Sequence, residues 1–216
     1  MNPKLSPIGL NSGVLTDRQK EPFEASYNSI IVVNAHSPFI KVPKDAALTI
    51  RTLSELRKKD WRSTNRWNSE GDYIGWLGEL AMQRYCDIPA SQALAEFETG
   101  LRGDSGYDLI SNGLKIDCKA TKGSAKKYKF SKTNKNTIKA DAYAFVYIED
   151  GAFESRAYLL GWSHRADIQP FKRFDGQKDF VRAETLKRAG VLNPVSMLRE
   201  QHHQTVSSNT EQTINE

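Results

Sequence analysis

The dipeptide Asn112-Gly113 constrains the fold of this chain more than any other stretch. It separates two short segments, GYDLI and LKIDCKA, in which apolar and polar residues alternate. Asn-Gly is strongly favoured in two-residue type I′ turns, so the pattern predicts a β-hairpin. If these two residues form the turn, residues whose numbers sum to 225 lie opposite each other.

This register predicts that Asp108 faces Asp117, with Lys119 on the same side of the strand as Asp117. Carboxylates placed opposite each other repel unless a cation lies between them. Oxygen ligands of this kind suit Mg²⁺ or Mn²⁺ rather than zinc, and the backbone carbonyl of Cys118 is a further candidate ligand. A three-residue turn would instead move one aspartate to the other face. The alternative without a metal is that Asp108 is a strand-end acid and that Asp117 and Lys119 form an exposed ion pair.

A third acid belongs to the helix that precedes the hairpin. Apolar residues recur at helical spacing between Tyr73 and Tyr85, and Ser69 is a candidate N-cap. Glu79 lies away from the main apolar face, and its helical neighbours include Gly75 and Met82 rather than lysines. A carboxylate in such surroundings favours a partner outside the helix.

The hairpin opens a strongly basic stretch. The chain carries a net charge of +5, whereas residues 115–139 contain nine lysines and one acid, giving +8 and leaving −3 for the rest. An anionic polymer is therefore a plausible partner. The predicted phosphate contacts are Lys122, Lys126, Lys127, Lys129, Lys132 and Lys135, and the alternative for each is a solvated loop. Trp61 and Trp67 are candidates for stacking on unpaired bases or for completing a core.

Taken together, Glu79 in GWLGELA, Asp108 in SGYDLI and Asp117-Cys118-Lys119 in LKIDCKA resemble the PD-(D/E)XK nuclease superfamily. The resemblance spans residues 73–163, with Tyr107 in place of the proline of the name. It implies a restriction-endonuclease-like core and metal-dependent cleavage of phosphodiester bonds. Its implied catalytic residues are Glu79, Asp108, Asp117 and Lys119, and its implied metal ligands are Asp108, Asp117, Glu79 and Cys118, holding Mg²⁺ with Mn²⁺ as a substitute.

The wider pattern predicts an α/β fold with a central mixed sheet flanked by helices. Strands are expected at 29–34, 141–148 and 156–162, with a helix from residue 48 and closing helices at 179–190 and 194–200. One domain is expected at 26–200, between a mobile segment, 1–25, and a disordered polar tail, 201–216. Two cysteines without metal spacing and no long apolar run predict a cytoplasmic protein, in the host cytoplasm if a phage encodes it, without membrane association.

The expected function is a Mg²⁺-dependent deoxyribonuclease. Two alternatives stay open: a catalytically inactive module on the same fold that binds nucleic acid or protein, and a ribonuclease, since metal and phosphate contacts do not distinguish the sugar. The sequence also leaves open a homodimer that cuts both strands.

Overall fold

A computed structural model describes residues 15–33, 39–60, 69–102, 106–122, 129–132, 140–168, 173–175 and 178–199. The helices are α1 (Asp17–Asn28), α2 (Lys44–Asp60), α3 (Ser69–Tyr85), α4 (Ala90–Arg102), α5 (Arg165–Ile168) and α6 (Ala183–Arg188). The strands are β1 (Ile31–Val32), β2 (Phe39–Pro43), β3 (Leu109–Ser111), β4 (Leu114–Lys122), β5 (Lys129–Lys132), β6 (Ala142–Asp150), β7 (Glu154–His164), β8 (Arg173–Asp175) and β9 (Lys178–Arg182).

A six-stranded sheet in the order β1-β2-β7-β6-β4-β3 forms the centre of the fold. Its neighbours are antiparallel except for β4 and β6, which run parallel. A second sheet, β5-β9-β8, is antiparallel throughout. The predicted α/β class with a central mixed sheet is therefore confirmed. No helix in the described part of the chain has the length and apolar character to cross a membrane.

The predicted hairpin is present with a two-residue turn. Asn112 and Gly113 have φ values of 54° and 73°, as a type I′ turn requires. The strand pairs are Leu109 with Ile116, Ile110 with Lys115 and Ser111 with Leu114, each summing to 225. The three-residue turn is therefore excluded.

The central sheet has two chemically different faces. On the helix face, Ile116, Cys118 and Ala120 of β4 and the even-numbered residues 142–148 of β6 pack with α3 in the main core. On the opposite face, which we call the site face, Asp117 and Lys119 of β4 pair in the ladder with Tyr143 and Phe145 of β6. Ile168 of α5 and Leu186 of α6 cover these aromatic residues, so helices flank both sides.

Helix α1 corrects the expected mobile segment. It begins at Asp17, and Phe23 and Tyr27 are 1% exposed in the core, so residues 17–25 belong to the folded domain. Pro22 inside the helix and the many polar residues around it hid the apolar face in the sequence. Residues 1–14 and the predicted polar tail, 201–216, lie outside the described residues.

Other elements also differ from the prediction. Helix α4 was not predicted, because its buried face rests on few residues, chiefly Ala93, Leu94 and Phe97. The strand expected at 29–34 is only β1, two residues long. The helix expected at 179–190 is wrong in its first part, which pairs with β5 and β8 as β9, and right in its second part, α6. A helical turn at 196–199 agrees with the last prediction.

Gly78 sets the distance between α3 and the sheet. A Cβ atom at this position would lie 2.5 Å from Cβ of Ala120 and 3.6 Å from Cβ of Val146. Carbon atoms cannot approach to 2.5 Å without displacement, so only glycine allows the helix to lie this close to β4 and β6. The position of Glu79, the next residue, depends on the same contact.

We predict that Gly78→Ala lowers the free energy of unfolding by about 1–3 kcal/mol, because the added methyl group forces α3 away from β4. Gly75→Ala is the matched control one turn earlier. Its Cβ would meet only a Glu79 oxygen at 3.9 Å, so the better helix propensity should stabilise the protein by up to about 1 kcal/mol. Urea denaturation measures the free energy of unfolding of both variants. A change of the same sign in both would contradict the close contact at Gly78.

Candidate functional site

Asp108 lies immediately before β3 and bridges to β4. Its backbone N–H donates to the Ile116 carbonyl at 2.8 Å, and its carboxylate Oδ2 accepts a 2.6 Å hydrogen bond from the Cys118 N–H. Strand β3 begins only at Leu109, whereas β4 continues to Lys122. The Asp108 side chain therefore takes the place of a strand backbone as the partner of β4.

This arrangement differs from the prediction that the Asp108 and Asp117 side chains face each other across the hairpin. The regular register ends with the pair of Leu109 and Ile116, and Asp108 and Asp117 are the next residues on the two strands. The ladder is irregular there, since Ile116, which pairs with Leu109, also accepts from Asp108. The Asp108 carboxylate consequently turns toward the backbone of Cys118. Gln83 of α3 fixes the same residue by donating from Nε2 to the Asp108 carbonyl at 2.9 Å.

Asp117 and Lys119 form the predicted same-face pair. Lys119 Nζ lies 2.7 Å from Asp117 Oδ2, and the two side chains are only 22% and 12% exposed. The alternative of an exposed surface ion pair is therefore wrong. Charge-assisted hydrogen bonds in such partly desolvated surroundings are stronger than pairs in open solvent.

The structure brings Glu79 and Asp117 into electrostatic range of Asp108. Burial is the largest cause that raises the pKa of Asp108 well above its ordinary value, and the charges of Glu79 and Asp117 raise it further. The hydrogen bond from Cys118 and the Lys119 charge act in the opposite direction but do not compensate. We call Glu79, Asp108, Asp117 and Lys119 the acid cluster. Its formal charge with all acids ionised is −3 + 1 = −2.

Lys119 is held in its charged form. Burial lowers its pKa, but the attraction and hydrogen bond of Asp117 and the charge of Asp108 outweigh burial, and the pKa is raised. An ammonium with a raised pKa is a poor general base and a good donor to anionic oxygens. In this environment Lys119 is suited to orienting and neutralising, not to accepting a proton.

Orphaned polar atoms next to the acid cluster show that hydrogen-bond capacity there is unused. Among the described residues, three buried side-chain atoms have no hydrogen-bond partner, and two of them are Gln83 Oε1 and the Tyr143 hydroxyl. Gln83 contacts Asp108, and Tyr143 pairs with Asp117 in the β4–β6 ladder. Buried polar atoms of this kind commonly mark a place for ordered water or an ion.

The donor set fits a hard divalent cation. The described residues contain no group of three or more His, Cys, Asp or Glu side chains arranged as a metal cage. Mg²⁺ does not need one, because it keeps several waters and takes one or two carboxylates from the protein. Asp108 and Asp117 are the candidates for those carboxylates. The C=O of a strand residue points to the same edge as its N–H, so the Cys118 carbonyl lies on the Asp108 side.

The Cys118 thiol itself is not part of this donor set. Its side chain packs with the main core on the helix face, and burial, followed by the charge of Asp108, raises the thiol pKa well above its ordinary value. Cys86 is buried as well, and both cysteines are free.

The predicted phosphate-binding lysines are placed only in part. Lys122 closes the end of β4 by pairing with Glu70 Oε1 at 2.9 Å and Asp150 Oδ2 at 2.6 Å. A phosphate at this lysine would have to compete with two carboxylates. Lys129 and Lys132 lie in β5, although their side chains are outside the described set. Lys126, Lys127 and Lys135, together with Trp61 and Trp67, lie outside the described residues.

Sequence reasoning missed two residues of this site. Gln83 follows Glu79 by four residues and therefore lies on the same side of α3, a signal that the sequence does contain. Tyr143 reaches the site through the pairing of β4 with β6, which are separated by a long connection. Nothing local in the sequence indicates that pairing.

Compared with protein-family models, curated proteins and solved structures, the chain has no match in any of the three. The resemblance to a nuclease superfamily therefore rests on the residues of this chain alone.

We predict that Asp108→Asn raises the Tm of the metal-free protein at neutral pH, because it removes a buried charge while keeping an oxygen for the Cys118 N–H. An acid with a raised pKa costs stability when ionised. That cost should disappear as the pH falls through the raised pKa toward the ordinary value of 3.8. The Tm difference between variant and wild type in EDTA should accordingly shrink on acidification.

Differential scanning calorimetry in EDTA across this pH range provides the measurement. Asp45→Asn, which alters an exposed acid at the start of α2, serves as the control and should leave Tm nearly unchanged. A destabilised Asp108→Asn variant at neutral pH would show that the carboxylate is a structural cap and not a strained ligand.

Proposed function

We propose that this protein is a metal-dependent nuclease that hydrolyses phosphodiester bonds in DNA and has a restriction-endonuclease-like core. The observation that carries the proposal is the acid cluster, in which a buried Asp108 with a raised pKa lies beside Glu79 and Asp117. The order of helix α3, hairpin β3–β4 and parallel strand β6 supports the proposal, because the resemblance implies the same order of elements.

The assignment of roles follows the geometry of the side chains. Asp108 and Asp117 would hold Mg²⁺, with Mn²⁺ as a substitute, and the Cys118 carbonyl lies at the same edge of β4. Glu79 would contribute from α3, directly or through water. When bound, the cation supplies an activated water and charge stabilisation at the phosphate.

Lys119 acts on the reacting group through its charge. It is paired with Asp117 and remains protonated, so it donates to the attacking water or to an equatorial phosphate oxygen. This donation orients the nucleophile and offsets the extra negative charge that develops on the phosphorus oxygens.

A nucleic acid is the anion that best fits the charge distribution. The window of residues 115–139, with its charge of +8, begins on the strand that carries Asp117 and Lys119. Repeated phosphates neutralise such a window, whereas a small anion would use only a part of it. DNA is the proposed substrate, and RNA is a direct competitor in the same assay.

We predict that Asp117→Asn and Lys119→Met each reduce metal-dependent cleavage at least about a hundredfold, because charge stabilisation by a positioned group contributes on that scale. Asp45→Asn and Lys187→Met remove the same charges at exposed positions and should retain wild-type activity.

The assay uses supercoiled, linear and single-stranded DNA, and RNA, with Mg²⁺, Mn²⁺ or EDTA, and thermal unfolding confirms that each variant is folded. Cleavage in EDTA, or cleavage that survives both substitutions, would disprove the assignment. Binding without cleavage would favour an inactive nucleic-acid-binding module on the same fold.

A further inference from the structure

Three aromatic side chains form a continuous row on the site face of the central sheet. Tyr147 of β6, Tyr158 of β7 and Phe39 of β2 occupy neighbouring positions in the ladders. The Tyr147 and Tyr158 ring centroids are 6.0 Å apart, and those of Tyr158 and Phe39 are 5.8 Å apart. Interplanar angles of 32° and 28° make the three rings nearly parallel. We call these residues the aromatic row.

One end of the aromatic row lies near the acid cluster, and the row runs from there across β7 to β2. Lys119 pairs with Phe145, and Thr121 pairs with Tyr147, so Tyr147 lies one side-chain repeat beyond Lys119 on the same face. Two residues of a strand advance by about 6.6 Å, and adjacent strands lie about 4.8 Å apart. This is the scale of one nucleotide step in an extended strand.

The row contributes little to the core. Its three residues are partly exposed, and none of them belongs to either buried apolar cluster, although Tyr143 and Phe145 on the same face do. Helices α5 and α6 cover the face at Ile168 and Leu186, which pack against those two buried residues. Burial of apolar surface therefore explains the inner aromatics but not the aromatic row.

Charged groups around the row are neutralised within the protein. Arg156 lies with Cζ 5.9 Å from the centre of the Phe39 ring and pairs with Glu154 at 2.9 Å. Lys41 also pairs with Glu154, at 3.6 Å, and the Tyr158 hydroxyl donates to Glu149 at 2.9 Å. A ligand on this surface therefore meets aromatic side chains whose charged neighbours are already paired.

We propose that the aromatic row is a stacking platform for the unpaired bases of a nucleic-acid strand whose backbone passes the acid cluster. Aromatic side chains on an open sheet face bind bases by stacking, and only unpaired bases present their ring faces to a protein. The inference rests on the proposed nuclease function and names its substrate: single-stranded nucleic acid, or a junction or flap with an unpaired segment.

A second protein is the other class of occupant that such a surface could accept. The position of Tyr147, one side-chain repeat from Lys119 on the same face, favours a polyanion whose backbone reaches the acid cluster while its bases contact the rings. A protein partner would instead have to cover the ion pairs of Lys41, Arg156 and Glu154 together with the rings.

The test measures binding in EDTA, where no strand is cut, by fluorescence anisotropy with a labelled single-stranded oligodeoxynucleotide and its matched duplex. Tyr158→Leu removes the central ring and should raise the Kd for the single strand about tenfold. Tyr158→Phe keeps the ring and loses only the bond to Glu149, so it should bind like the wild type. Duplex affinity should change less than about twofold.

Phe153→Leu is the control for loss of an aromatic ring. Phe153 is 87% exposed at the β6–β7 turn, outside the aromatic row, and its substitution should leave the Kd unchanged. If Tyr158→Leu lowers Tm by more than the other variants, Tyr147→Leu replaces it with the same expected effect. Unchanged single-strand binding, equal losses for single strand and duplex, or equal losses in Tyr158→Leu and Tyr158→Phe would each overturn the proposal.

The two proposals fail in different ways. A wild-type protein that binds single strands through the aromatic row but never cleaves with Mg²⁺ or Mn²⁺ contradicts the nuclease and supports the platform. A wild-type protein that cleaves duplex DNA but shows no affinity for single strands contradicts the platform and leaves the nuclease standing.

Discussion

The hydrogen bond from the Cys118 N–H to the Asp108 carboxylate is the interaction on which the rest of the site depends. It places a charged group in a position where a strand backbone would ordinarily pair with β4, and it holds that group close to two other acids. A charge-assisted bond of 2.6 Å offsets part of the desolvation cost, but the neighbouring carboxylates add to it. In the folded protein Glu79 and Asp117 therefore repel the ionised Asp108, and the charge of Lys119 offsets this repulsion only in part.

Helix α3 fixes the positions of the polar groups around Asp108. The close approach at Gly78 fixes how near the helix lies to β4, and its next turns then present Glu79 and Gln83 to the same place. At its other end, Glu70 accepts hydrogen bonds from Lys122 and Arg51 at 2.9 Å each. One end of α3 is thus attached to the end of β4 through Lys122, and its other end to Asp108, the residue before β3, which restricts sliding of the acids relative to each other.

Local sequence signals were sufficient for the hairpin and its acids. Asn112-Gly113 determines the register over a few residues, so the turn signal and strand alternation together assign Asp117 and Lys119 to one face. Helical periodicity in the same way located Glu79 on α3. Helix α4 was missed because its buried face rests chiefly on Ala93, Leu94 and Phe97. Strand β9 was assigned to a helix because its segment runs directly into α6.

Contacts that depend on distant strands could not be predicted. Tyr143 and Tyr147 lie beside β4 only because β4 and β6 run parallel across a long connection, and Tyr158 joins them through β7. In the sequence, the alternation in β6 is masked, because alanine, valine and isoleucine on one face and aromatic residues on the other are all apolar. The direction in which Asp108 turns is equally nonlocal, since it follows from the early end of β3.

The ion pairs of Lys122 with Glu70 and Asp150 affect how the binding of a polyanion depends on ionic strength. The pKa of Glu70 is lowered, first by its hydrogen bond with Lys122, and the pKa of Lys122 is raised, first by its hydrogen bond with Asp150. The charged form of each group is therefore stabilised by its partners. Added salt screens such partly exposed ion pairs as well as contacts with a polyanion. Because a phosphate has to displace Glu70 and Asp150 from Lys122, added salt weakens the competing pairs as well as the phosphate contact. The slope of affinity against salt concentration would then understate the number of phosphates that the protein touches.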